Sequence, residues 1–147
     1  MRELSIVGAC LVAVTAVAGC GGGGVGASCP TGASMDAVQT QIFDGCTVRG
    51  IGGCHSVAPF AANLDLTRGK AWGHLVHAPS NSSPGKWRVE PGDVDSSFLW
   101  HKLTDSLASD KSEGAPMPRD ANDNWAPLAD AQLAAVRCWI ASGAPAQ

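Results

Sequence analysis

The chain has 147 residues, with 10 Lys and Arg against 13 Asp and Glu and a formal net charge of −3. That length suits one domain rather than two. Without a Lys/Arg run there is no basic surface to hold nucleic acid, so nucleic-acid partners are excluded. Six cysteines, 18 glycines and nine prolines favour short helices joined by turn-rich segments, and they make the redox compartment the first question.

The N-terminus answers it. Met1-Arg2-Glu3-Leu4 precedes an apolar run from Ile6 to Ala18, short of the roughly 20 residues that a transmembrane helix needs. Its length is that of a signal-peptide core. Val17-Ala18-Gly19-Cys20 resembles the bacterial lipobox, in which the Cys is lipidated and becomes the mature N-terminus. The expected organisation is a lipoprotein signal at 1–19, a Gly-rich linker at 20–32 opening with Gly21 to Gly24, and a domain at 33–147. Lipid on Cys20 is the membrane partner. The location is the cell envelope, with the outer membrane indicated because Gly21 is no Asp-type retention signal. Cys10 leaves with the signal and Cys20 carries lipid. Cys29, Cys46, Cys54 and Cys138 remain.

Along the domain, Ser34 or Asp36 caps a helix running to about Asp44, with Met35, Val38 and Ile42 on one face and Gly45 as its stop. The segment from Cys46 to Gly53 reads as a loop, and Asn63 to Leu66 as extended. Thr67 reads as the cap of a helix through about His77. Pro79 to Gly85 is a loop. Trp87-Arg88-Val89 is a short extended piece closed by a Pro91-Gly92 turn. Asp95 is placed as the cap of a helix from Ser96 to about Leu103. Thr104 to Pro127 has no periodicity, and so long a stretch in a compact domain implies an organiser other than secondary structure, such as a buried cofactor. A last helix, about Ala129 to Ser142, carries Leu133, Val136 and Ile140 at helical spacing, with Gly143 at the left-handed C′ position. The fold class is all-α, with short helices and long loops.

Several blocks then fall in a telling order: Ile42-Phe43, Cys54-His55, Asn63-Leu64-Asp65-Leu66, Arg88-Val89-Glu90-Pro91-Gly92-Asp93, Asp95 to Leu99, Pro116-Met117-Pro118, and Cys138 to Ala144. The ordered set resembles planctomycete-type cytochrome c domains and spans nearly all of the chain after the linker. The resemblance implies a class I cytochrome c-like fold and one covalent haem c with its iron. It makes Cys46 and Cys54 the thioether cysteines, His55 the proximal iron ligand and Met117, framed by two prolines, the distal one. Phe43 and Trp139 become the contact between terminal helices. The implied function is electron transfer with redox partner proteins rather than catalysis. The chain departs from the C-x-x-C-H pattern by placing seven residues between Cys46 and Cys54. A longer loop still brings its ends together at an entropic cost of only about 0.6 kcal/mol per doubling of length.

Other readings stay open on the residues themselves. Cys46 and Cys54 also suit a disulfide, and Cys29 and Cys138 are free to pair in either account. A haem-free, disulfide-stabilised envelope module and a haem peroxidase or sensor are therefore the alternatives. Met117 also reads as a loop methionine plugging the core. His74 and His77, spaced to share a helix face, offer a zinc site with Cys54-His55. His74, His77 and His101 otherwise read as surface residues. Arg88 reads as a solvated charge before a turn, or as the partner of a haem propionate. No nucleophile elbow or phosphate-binding glycine loop is present.

Overall fold

The computed structural model describes Cys29 and residues 33–47 and 53–147. The expected signal, Cys20, the rest of the linker and residues 48–52 between the two thiols lie outside the described residues. The described part is helical and contains no β-strand, only four isolated bridges. None of its helices is long and apolar enough to cross a membrane.

Ser34 opens the first helical segment, its hydroxyl accepting from the Ala37 N–H at 3.2 Å. This satisfies one of the amides that a helix start leaves unpaired. The segment runs through α1 (Met35–Val38), a π turn (Gln39–Phe43) and α2 (Asp44–Thr47). The expected stop at Gly45 does not occur. Nothing crowds that glycine, and the Thr47 hydroxyl donates back to the Asp44 carbonyl at 3.0 Å, holding one more turn. Met35, Val38, Ile42 and Phe43 are buried. Gln39 is buried too, its Nε2 donating to Asp44 and to the Leu66 carbonyl.

Two other helix starts differ from expectation, each beside a turn closed by an aspartate side chain. The Thr67 hydroxyl donates to Asp65 Oδ1 at 2.6 Å, and Gly69 follows at φ +80°. Helix α3 therefore begins late and is short, Ala71–Leu75, with Val76 already extended. Likewise Ser96 donates through both its N–H and its hydroxyl to Asp93, and α4 is Phe98–Thr104 with Ser97, not Asp95, preceding it. The Asn63 end of the expected extended piece is also a tight turn, Ala61–Asn63.

The last helix, α5 (Asp130–Ala141), follows its hydrophobic spacing. Gln132 Oε1 accepts from the Ala129 N–H at 3.0 Å, half of a capping box, since Ala129 has no side-chain oxygen to return. Gly143 has the left-handed φ of +94°. The terminal helical segments pack on each other, and Gln132 Nε2 donates across to the Gln41 carbonyl at 2.7 Å. Phe43 and Trp139 are both fully buried in the one core they share with Leu66, Leu75, Val89 and Leu103. Two indoles tie the tail: Trp139 Nε1 donates to the Pro145 carbonyl and Trp72 Nε1 to that of Ala144, each at 2.9 Å. Cys29 and Cys138 form a disulfide across a sequence separation of 109.

The stretch after α4 is held by polar side chains reaching backbone. Buried Glu113 accepts from the Ser83 hydroxyl at 2.7 Å, Lys86 Nζ at 2.6 Å and the Ala108 N–H at 2.9 Å. Lys102 Nζ donates to the carbonyls of Glu113 and Ala115 and lies 5.4 Å from the Phe98 ring centroid. Asp120 accepts from the N–H groups of Asn122 and Asn124. These bonds tie the stretch to α4 and to the loop before Trp87.

Candidate functional site

Helix α2 carries Cys46 at its C-terminal end, and the next described segment, a single 3-10 turn (Gly53–His55), packs back against it. Cys46 is half-buried against the core and Cys54 is exposed; both are free thiols. Burial, and then the neighbouring Cys54, push the Cys46 thiol up to about 11. The packing of the Gly53–His55 turn on α2 brings the two cysteine-bearing elements together.

His55 is held by the segment that follows it. Its carbonyl accepts from the Leu66 N–H at 2.9 Å, and its ring Nδ1 lies 3.0 Å from the Leu64 carbonyl. A carbonyl only accepts, so Nδ1 carries the proton and the neutral ring keeps its lone pair on Nε2. Burial holds the ring below the usual histidine range. The Leu64 carbonyl opposes this, the Arg88 charge adds to it, and the Ala61 carbonyl again opposes. The imidazole is thus kept neutral, in one tautomer and one orientation. These are the properties of a metal-ligating histidine, whose second nitrogen is normally engaged by a carbonyl or carboxylate.

Arg88 is the feature that sequence reasoning missed. Far from being solvated, it is 8% exposed. Nη1 donates to the His74 carbonyl at 2.8 Å, and Nη2 to those of Ala62 at 2.9 Å and Asn63 at 3.3 Å. Burial lowers its pKa from the ordinary value. The one available signal was its place in Trp87-Arg88-Val89, but alternation there misleads, because Arg88 and Val89 are both buried while Trp87 is 44% exposed.

Met117 is half-buried in the stretch after α4. Its N–H donates to the Lys102 carbonyl at 2.8 Å and its carbonyl accepts from Trp125 Nε1 at 3.2 Å. These bonds fix its backbone but do not run to the His55 segment. The two cysteines and His55 are therefore gathered by adjacent elements, whereas Met117 is anchored separately. His74 Nδ1 accepts from the Asp65 N–H at 3.3 Å. His77 leaves the helix at φ 50° and stacks, tilted, against Trp87. The shared helix face expected for His74 and His77 is thereby lost, because α3 ends at Leu75. Among the described residues no three His, Cys, Asp or Glu gather as a metal cluster. The two ring nitrogens of His101 are engaged by Ser106 and the Asp95 carbonyl.

Two open clefts, of about 510 and 560 Å³, lie around Trp87 and around Trp72 respectively, and neither is lined by Cys46, Cys54, His55 or Met117. No protein-family model, curated protein or solved structure matches the chain.

Proposed function

We propose that residues 33–147 form a one-electron carrier of the cytochrome c type, related to the planctomycete-type domains, carried on an envelope membrane by lipid at Cys20. The observation that carries this is the His55–Leu64 hydrogen bond of 3.0 Å, which leaves Nε2 as the ring's lone-pair atom. The donor set supports it on the proximal side: His55 directly follows Cys54, and Cys46 lies on α2, against which that turn packs. A bound haem supplies an iron couple that exchanges single electrons.

The chain's own residues hold and tune. Cys46 and Cys54 offer thiols for thioether attachment. His55 would supply Nε2 to the iron, with the Leu64 carbonyl fixing the ring's rotation and raising its basicity. Met117, backbone-anchored by Lys102 and Trp125, would supply the second, thioether ligand.

The test is the absorbance spectrum and intact mass of the full chain produced in a bacterium with a haem c attachment system. A Soret band that persists after denaturation in acid acetone, is shifted in His55→Ala and is lost when Cys46 and Cys54 are both replaced by Ala, is the expected result. Met117→Ala should alter the spectrum without removing the band. A mass lacking haem and two hydrogens below that of the one-disulfide chain would identify a Cys46–Cys54 disulfide instead, and would sink the carrier assignment. The same mass reports the lipid on Cys20.

A further inference from the structure

We infer that Arg88 is the positioning residue of His55: its guanidinium clamps the turn whose next carbonyl fixes the imidazole. This rests on His55 being the functional histidine of the site. The clamp has three parts. The turn Ala61–Asn63 is conformationally unfavourable, since Ala62 and Asn63 stand in succession at φ 53° and 54° without being glycine. Such backbone persists only where its surroundings hold it. Its local bonds, Asn63 N–H to Phe60 and Leu64 N–H to Ala61, leave the carbonyls of Ala62 and Asn63 turned to Arg88. The following carbonyl, that of Leu64, receives the His55 ring proton.

Arg88 is itself firmly placed. Its N–H donates to the Ala78 carbonyl at 2.8 Å, and the Val89 N–H to that of Leu75 at 3.1 Å. Its Nη1 takes the His74 carbonyl near the end of α3. One guanidinium therefore bolts the unfavourable turn to α3. Among the described residues no carboxylate forms an ion pair with it. A buried cation without an anion is costly, so charge pairing does not account for its place, whereas the three carbonyls do. A planar fork spans two such groups at fixed geometry, which a lysine ammonium does not.

The tautomer of His55 reports on the clamp and needs no haem. The full chain, isotopically labelled and made without haem attachment, is compared with Arg88→Met and Arg88→Lys by the ring nitrogen shifts of His55, at a pH where the ring is neutral. Wild type should show the Nδ1–H form. Arg88→Met should raise the ratio of Nε2–H to Nδ1–H about tenfold, the net worth of roughly one hydrogen bond, while the Trp139 indole N–H signal stays in place. Arg88→Lys should move the ratio in the same direction by less. An Arg88→Met chain with the native Trp139 signal and an unchanged ratio overturns the inference. Should Arg88→Met fail to fold, an unchanged ratio in Arg88→Lys overturns it and a raised one supports it. The carrier assignment falls separately: a full chain made with a haem c attachment system that shows no Soret band removes it whatever the tautomer shows.

Discussion

Glu113→Gln tests the network that orders the stretch after α4. Three donors converge on this buried carboxylate, with Lys86 the strongest influence, then Ser83 and the Ala108 N–H; together they hold its pKa down at about 2. Against an unfolded value near 4.5, the difference of about 2.5 pKa units amounts to about 3 kcal/mol of stability at pH 7. Because the folded pKa is depressed, this stabilisation is fully present above the unfolded pKa and is lost as pH falls through the folded one. It should decline to about 1 kcal/mol at pH 3 and to below about 0.5 kcal/mol at pH 2. Lys86 is 45% exposed at its side chain, so its share should weaken in salt, while the bonds from Ser83 and Ala108 should not. Glutamine keeps an acceptor for one of these but turns an amide toward Lys86. Urea unfolding of the two chains from pH 7 to pH 2 is the assay. The gap in unfolding free energy should be about 2–3 kcal/mol at pH 7 and should close with acid. A gap under about 0.5 kcal/mol at pH 7, or one that persists undiminished at pH 2, refutes the network as described.

Cys29→Ser should lower unfolding free energy by about 2–5 kcal/mol, since a separation of 109 residues lies near the long-loop limit of the chain-entropy model. Calorimetry of this variant, and of wild type with and without reductant, checks it. Trp139→Ala removes the fully buried indole and its bond to Pro145 and should cost about 3–5 kcal/mol, measured by denaturant midpoint. A Cys46 thiol at about 11 should hold about 100-fold less thiolate at pH 8 than one near the ordinary value of 9.0. Peptide mapping after timed alkylation of the haem-free chain should find Cys46 labelled slowly, behind the exposed Cys54.

The legible parts of the fold were those in which hydrophobic spacing and backbone chemistry agree. Ser34, Met35, Val38 and Ile42 mark the first helix, and Leu133, Val136, Ile140 and Gly143 mark the last. Boundaries failed where an aspartate turn claimed the expected helix start: Asp65 holds the expected cap Thr67, and Asp93 holds Ser96, the residue after the expected cap Asp95. The π turn at Gln39–Phe43 leaves no mark in a 3.6-residue pattern. In the site, Cys54-His55 could be read from adjacency alone. The acceptor on Leu64 and the clamp of Arg88 could not, since both depend on main-chain carbonyls that every residue possesses and only the fold aims.

The Cys29–Cys138 disulfide also changes what a single cut does to the molecule. Every residue from 29 to 138 lies inside one covalent ring, including the exposed turns at 105–112 and 121–125, the kind of site that proteases favour. A nick there opens the ring without releasing a fragment, so the two pieces still migrate together until a reductant is added. Each arm of the opened ring then stays joined at one end, one at Cys29 and the other at Cys138, so α5 remains crosslinked to the N-terminal piece.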